Sequence, residues 1–395
     1  MIEPVGNSQT TFFSQYEILP SVRFSIIIPV KDEEEYIMKT LSSFADQVDI
    51  YGEAIERNLF EILVLANNCS DNSVQLIKKF QLDNPDLNVY LEEITLIKAQ
   101  ANIGYVRRKL MECAYVRLIK NGGGTIMTTD GDTSVTPDWL HQTSLEIEKG
   151  ADAVGGRILL YDDEFESMDE SIRLHHLKDE KYHLLIAELE AKISNCNFDP
   201  VPRHHQHFNG SFAITTNCYE KSGGVPIVEQ LEDCAFFERL KTIDAKVRHS
   251  CNVIVYTSAR CVGRTKVGLS HQLGIWKNLG ESVDDYLVES CDAITMRLTQ
   301  KKSLMKLWKM KNDINEADFN REIRGILLPA FFDRTIYKSF LRSSYFGQWY
   351  EELVNQKYLI QADKFPAQTI DNAIADLQLK VQEYSDHCLS QTSIL

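Results

Sequence analysis

Apolar residues in the first 160 positions fall in short unbroken runs separated by polar segments that suit helices. Arg23–Val30 (RFSIIIPV) predicts a buried strand, rich in isoleucine and stopped by proline. Phe60–Ala66 (FEILVLA) predicts a second strand, ending in the turn-rich Asn67–Ser73. Val89–Ile97 predicts a third, Thr125–Thr129 a fourth and Ala153–Leu160 a fifth. Between them, Glu34–Gln47, Ser73–Phe80 and Gly104–Lys120 predict helices; in the last, Val106, Leu110, Ala114 and Leu118 recur four apart on one face. A further helix is expected from Thr136-Pro137, with Thr as the cap and Pro in the first turn.

This alternation of strand and helix predicts an α/β fold with a mainly parallel sheet. Ligands of such sheets bind at the carboxyl ends of the strands, where Asn67–Ser73 and Asp130-Gly131-Asp132 both lie. Ser167–Ser194 is a long charged helical stretch ahead of the next strand, Phe208–Thr215. Leu231–Thr242 predicts a helix opening on Glu232-Asp233, and Lys246–Ser258 holds one or two strands. Beyond about residue 272 the pattern is helical only. The expected division is a lead-in over 1–20, a catalytic domain over 21–275 with an insert at about 161–207, and a helical C-terminal region over 276–395.

Charge narrows the partners. The chain of 395 residues carries a formal net charge of −15, which disfavours nucleic acid but not a small anion met by a metal and a few local Arg or Lys. Nine cysteines, with no CxxC pair, argue against a disulfide framework or zinc ribbon and for a reducing compartment. The first twenty residues lack a basic region followed by an apolar run, and no apolar stretch is long enough to span a bilayer. A cytoplasmic protein is therefore expected.

Several constellations offer chemistry. Asp130-Gly131-Asp132 follows a buried strand; the glycine is expected to turn the backbone so that both carboxylates face one point, as Mg2+ or Mn2+ requires. The bland alternative is a solvated acidic turn. Glu232-Asp233 at a helix start offers a general base or a simple cap. Asn102-Ile103-Gly104 with Arg107 and Arg108 suits phosphate contact, or is an exposed basic turn. Thr257-Ser258-Ala259-Arg260, Arg264 and His271 are candidates to bind diphosphate or complete a metal shell. His204-His205-Gln206-His207 is a metal-binding pattern or a solvated loop. Lys301–Lys311 is a basic amphipathic stretch, open to weak peripheral contact with an anionic membrane, or a packed helix with a solvated face.

As a set, Pro29-Val30-Lys31-Asp32-Glu33, Asn67–Ser73, Asn102-Ile103-Gly104 with Arg107-Arg108, Asp130-Gly131-Asp132, Gly223-Gly224-Val225-Pro226 and Glu232-Asp233 resemble family 2 glycosyltransferases with a GT-A fold, and Asn67–Ser73 and Thr257–Arg260 with Arg264 resemble a soluble bacterial branch of it. The resemblance covers about residues 22–270. It implies a Rossmann-like sheet flanked by helices, a nucleotide diphosphate sugar as donor, Mn2+ or Mg2+ as cofactor, and a carbohydrate, lipid or small-molecule acceptor. It further implies that Glu33 and the Pro29–Lys31 backbone line the nucleoside pocket, and that Arg107 or Arg108 supports the nucleotide. Asp130 and Asp132 would hold metal and ribose-phosphate, and Asp233 would be the base beside Glu232. Asn67 stands where the family usually has an aspartate. The Q-x-x-R-W motif of processive synthases is absent, so single transfer is expected, and the resemblance implies inversion, as in most members of the family. A nucleotidyltransferase would want a Gly-rich loop after the first strand, where this chain has Pro29–Glu34; a non-catalytic sugar-nucleotide binder would not need all four acidic residues.

Overall fold

The computed structural model describes residues 12–194, 196–228, 230–260, 268, 271–276, 286–327, 334–359 and 364–392. Arg264 lies outside them. The chain divides into two compact units, one of residues 1–168, 206–239 and 246–274, the other of 169–205, 240–245 and 275–395.

The first unit is built on an eight-stranded sheet. Its strands are β1 (Phe24–Val30), β2 (Phe60–Asn67), β3 (Val89–Ile94), β4 (Thr125–Thr129), β5 (Thr133–Val135), β6 (Ala153–Leu160), β7 (Ser211–Thr215) and β8 (Val247–Thr257), in the spatial order β3-β2-β1-β4-β7-β6-β8-β5. The pairs β1–β2, β1–β4, β2–β3 and β6–β8 are parallel, while β7 and β5 run against their neighbours. Continuous apolar sequence fits strands covered on both faces. Ile26, Ile28, Ile62, Val64 and Met127 are fully buried with Phe44 and Trp139 in one core. Helices α1 (Ile37–Ser42), α2 (Ser73–Asp83), α3 (Ile103–Lys120) and α4 (Trp139–Glu148) connect the strands.

Some boundaries differ from the sequence pattern for identifiable reasons. The third strand stops at Ile94 because the Asn68 side chain takes both backbone groups of Leu96, at 3.1 and 3.0 Å. The helix expected from Thr136-Pro137 begins at Trp139, with Asp138 at the cap position. The Thr136 hydroxyl donates to the Ile254 carbonyl of β8 at 3.2 Å instead of capping. The helix expected over Glu34–Gln47 shrinks to Ile37–Ser42, since Glu34 is drawn off to Asn72 at 2.8 Å and Asp32 sits at φ 54°.

Helices α5 (Asp162–Ser167), α6 (Glu170–Ser194), α7 (Thr216–Ser222) and α8 (Glu232–Thr242) follow the order of the chain, as do α9 (Cys291–Lys309), α10 (Glu316–Ile323), α11 (Arg334–Arg342), α12 (Phe346–Asn355) and α13 (Ile370–Thr392). In the second unit, Tyr182, Leu189 and Ile193 of α6 share a core with Ile294, Leu298, Ile374 and Leu377. The long charged segment before β7 thus packs with the C-terminal helices. A second core there gathers Leu304, Leu307, Phe319, Phe340 and Trp349. The basic Lys301–Lys311 stretch belongs to it through Leu304 and Leu307, so its apolar side is already covered. Among the described residues no helix is long and apolar enough to cross a membrane.

Candidate active site

The carboxyl edge of the parallel strands gathers the polar residues of the first unit. β4 ends at Thr129, and the Thr133 N–H bonds back to the Asp130 carbonyl at 3.2 Å to close the Asp-Gly-Asp turn. Gly131 is absent from the left-handed φ region, contrary to the expectation that glycine is there to bend the chain. Space is the reason. A Cβ at this position would lie 3.0 Å from Glu33 Cγ and 3.4 Å from the Pro29 carbonyl oxygen and from Val30 Cγ2. Pro29 and Val30 therefore pack against the turn as buried strand residues, and Lys31 follows at the strand's mouth, partly exposed.

Two guanidiniums organise the carboxylates. Asn102 caps α3 by accepting the Tyr105 N–H at 2.9 Å, which fixes the first turn and carries Arg107 into the interior. Arg107 is 4% exposed. Its Nη1 donates to Thr128 Oγ1 at 2.9 Å and to the Asn209 carbonyl at 3.1 Å, and its Nη2 to Asp130 Oδ1 at 2.7 Å. Its Nε lies 3.1 Å from Glu232 Oε1 at the start of α8; the N–H is not aimed at that oxygen, so this contact is a pairing of charges and not a hydrogen bond. Gly104 permits the approach, because a Cβ there would come within 3.3 Å of Glu232 Cβ. Burial works against the charge of Arg107, but Asp130 and Glu232 outweigh it and the guanidinium is held even more firmly protonated. Burial pushes the Glu232 carboxyl up, Arg107 opposes this and Asp233 adds to it.

The second guanidinium comes from the segment after β8. Arg260 Nη1 and Nη2 grip Glu33 Oε2 and Oε1 at 2.8 and 2.9 Å, and Nη2 also reaches Asp132 Oδ2 at 2.8 Å. Ser258 Oγ donates to the same Asp132 oxygen at 2.6 Å. Asp132 is buried; that burial, then the charge of Asp130, raise its carboxyl, while Arg260 and Ser258 lower it.

The remaining candidates are placed less centrally. Asp233 is half-buried and its Oδ1 accepts the Cys234 N–H at 2.8 Å, satisfying one free N–H in the first turn of its own helix. Asn67 ends β2 as a buried residue. Of the arginine pair only Arg107 reaches the carboxylates: Arg108 Nε turns to Glu112 at 2.8 Å. His271 is exposed and, among the described residues, has no hydrogen bond or ion pair to Asp130 or Asp132. The histidine run does not converge. His205 stacks on His183 at 4.8 Å, Gln206 accepts from Ile158 N–H at 2.7 Å, and His207 stacks on Phe237 at 3.8 Å. Arg260 with Glu33 and Asp132 is the constellation that sequence reading missed, since nothing local links residues so far apart along the chain.

The segment from Ser25 in β1 to Asp199, which includes the Asp-Gly-Asp turn and Arg107, is matched as a whole. The family profile described as "Glycosyl transferase family 2" covers residues 25–199. Over this segment the chain is similar to glycosyltransferase family 2. The sheet is mainly parallel and flanked by helices. Among curated proteins none matches the sequence.

Four solved structures bear a distant likeness to this chain. TarS 1–349 of S. aureus in complex with UDP-GlcNAc is 16% identical, with 93% of this chain and 92% of that one covered, at a TM-score of 0.42. A longer TarS structure is covered over only 50% of its length. The mannosyltransferase PcManGT from Pyrobaculum calidifontis, in complex with GDP-Man and Mn2+, is 12% identical over 92% of this chain and 88% of that one, also at 0.42. Glucosyl-3-phosphoglycerate synthase from Mycobacterium tuberculosis, with Mn2+, UDP and phosphoglyceric acid, is 13% identical over 68% and 83%, at 0.35.

The family implies a divalent cation, and the donor set suits one. Asp130 and Asp132 are hard oxygen donors, and Mn2+ or Mg2+ typically takes one or two carboxylates with phosphate oxygens. Five carboxylates (Glu33, Asp130, Asp132, Glu232 and Asp233) surround the two guanidiniums, so negative charge is in excess. Among the described residues, one compact group of potential ligands stands elsewhere, Asp32 with Cys69 and Asp71. Its acceptors are occupied by the loop: Asp32 Oδ1 takes Ser70 N–H at 2.6 Å, and Asp71 takes Glu34 and Ser73 N–H groups, each at 2.9 Å. Burial pushes the Cys69 thiol up, away from the thiolate that binds metal.

Proposed function

We propose that this glycosyltransferase moves a hexosyl group, with inversion, from a nucleotide diphosphate sugar to a hydroxyl acceptor, UDP-sugars being the favoured donors. The observation that carries the reading is Arg107, which joins the Asp-Gly-Asp turn to the Glu-Asp helix start at 2.7 and 3.1 Å. Two acidic stretches far apart in sequence thereby face one place at the carboxyl edge of the sheet, where α/β proteins bind ligands. Asp132 and Asp130 would hold Mn2+ or Mg2+, which offsets charge on the departing nucleoside diphosphate. Glu33, Asn67 and the Pro29–Lys31 backbone line the nucleoside side.

Asp233 is the base that takes the acceptor proton. It is half-buried and open to an incoming hydroxyl, whereas Glu232 beside it is closed off against Arg107 and positions that guanidinium. A reducing, cytoplasmic setting agrees with the unpaired thiols of Cys69, Cys113, Cys196, Cys218, Cys234, Cys251 and Cys291. The test is product analysis with a panel of nucleotide sugars, Mn2+ and candidate carbohydrate and lipid acceptors. Release of nucleoside diphosphate is expected; release of pyrophosphate would identify a nucleotidyltransferase and overturn the proposal.

A further inference from the structure

Asp132 is already engaged by a cation of the chain itself. Its Oδ2 receives both Arg260 Nη2 at 2.8 Å and Ser258 Oγ at 2.6 Å, which fills that oxygen. Its Oδ1 faces the hydroxyls of buried Thr133 and Thr257 at 3.4 and 3.5 Å. Among the described residues no third Asp, Glu, His or Cys joins Asp130 and Asp132 in a compact ligand group. A divalent ion and a guanidinium on one carboxylate oxygen repel each other, so both cannot hold it at full strength.

We propose that Arg260 is a displaceable counter-ion: a divalent cation gains Asp132 only by driving the guanidinium off it, and free cation is held weakly for that reason. The inference rests on Asp132 being the cation ligand, as proposed above.

The two guanidiniums of the site differ in the way this requires. Arg107 is 4% exposed and tied on every side, to Thr128, Asn209, Asp130 and Glu232. Arg260 is 28% exposed, and among the described residues Asp132 is one of its two ion-pair partners. Its fork on Glu33 uses both terminal nitrogens, so Nη2 can leave Asp132 while the Nη1 contact with Glu33 keeps the guanidinium charge compensated. Displacement thus asks for a rearrangement of one partly exposed side chain and leaves Arg107 in place. The weak affinity for free cation follows from population: the competent state, with Asp132 open, is a minor one until a ligand draws it out.

The experiment measures Mn2+ affinity without nucleotide, by calorimetry and by the electron paramagnetic resonance signal of free Mn2+, on the full chain. Arg260→Met is expected to bind Mn2+ about tenfold or more tighter than wild type, because the cost of displacement is gone. Lys39→Met removes the same charge from a side chain that lies 3.1 Å over the Tyr161 ring, and it controls for general electrostatics. It is expected to change the affinity by less than about threefold, since a charge that does not touch Asp132 is largely screened. Should Arg260→Met fold poorly, Arg260→Lys decides: one ammonium cannot span Glu33 and Asp132 as the fork does, so tightening is again expected. Equal Mn2+ affinity in wild type and the Arg260 variants, with loss in Asp132→Ala, overturns the displacement and leaves the ligand assignment standing. Mn2+ binding that survives Asp132→Ala, or is absent from every protein, overturns both.

Discussion

Arg107 and Glu232 lie 3.1 Å apart in the interior, and the same guanidinium reaches Asp130 at 2.7 Å with its other arm. One buried side chain therefore fixes the spacing between the turn that follows β4 and the start of α8. Arg107→Met would leave Glu232 buried without its cation. We expect a loss of about 3–5 kcal/mol, the usual result of breaking one half of a buried pair. Arg107→Lys should recover little of it, because a single ammonium cannot reach Thr128, Asn209, Asp130 and Glu232 together. Urea denaturation of the two variants checks both statements, and wild-type stability in Arg107→Lys would show that the fork is not needed.

Asp233→Asn keeps the shape and the first-turn bond to Cys234 N–H but cannot accept a proton. Turnover should fall about 10²–10⁴-fold, the range for general base catalysis, while nucleotide affinity stays near that of wild type. Steady-state kinetics with a nucleotide titration separates the two effects. A variant that turns over normally would remove Asp233 from the role, and one that loses nucleotide affinity in proportion would make it a binding residue.

The fold was legible in the sequence wherever a strand is covered on both faces, as in Phe24–Val30 and Phe60–Asn67, since burial demands an unbroken apolar run. The three-residue β5 was not, because Thr133–Val135 is too short to carry a period and owes its strand form to β8. Within the site, the acidic pairs and Arg107 stood out because each has a local context: a strand end, a helix start, a capped turn. The fork of Arg260 on Glu33 and Asp132 did not, because it is made by tertiary structure alone. Backbone reasoning also misjudged Gly131, whose constraint is the nearness of Glu33 and not its own φ.

That nearness makes a prediction of its own. In Gly131→Ala the new Cβ would sit 3.0 Å from Glu33 Cγ and 3.4 Å from the Pro29 carbonyl oxygen. Glu33 must shift, and its bonds to Arg260 with it. We expect a cost of about 1–3 kcal/mol, as for other overpacked sites, together with weaker nucleotide binding. Thermal denaturation and a nucleotide titration of the variant test this; an unchanged protein would mean that Glu33 yields freely.

Glu232 gives stability a pH dependence with a definite sign. Burial first, and then Asp233, raise its carboxyl above the ordinary 4.5, with Arg107 opposing. A raised carboxyl contributes stability that is complete below its unfolded value and is lost as pH rises through the folded one. Glu232→Gln removes the titration. The variant should therefore gain on wild type as pH climbs from below 4.5 through the raised value, and then run parallel to it. Urea midpoints of both proteins across that range measure the difference. A difference that shrinks with rising pH would mean that pairing with Arg107 outweighs burial.

The cation assignment can be tested through its coupling to nucleotide. If Asp132 and Asp130 hold Mn2+ against the diphosphate, each ligand must strengthen the other by the same factor, and couplings of about 5–150-fold are usual. UDP should accordingly bind more tightly with Mn2+ than after treatment with a chelator, and turnover should stop on chelation and return with Mn2+ or Mg2+. Asp132→Ala should bind UDP equally with and without the metal, because the residue that transmits the coupling is gone. Asp130→Ala should behave differently. It also frees one arm of Arg107, which lies 2.7 Å from Asp130, so its affinity for UDP should change even in the absence of metal. Identical behaviour of the two alanine variants would contradict the division of labour drawn here, in which Asp132 faces the cation first and Asp130 is shared with a buried arginine.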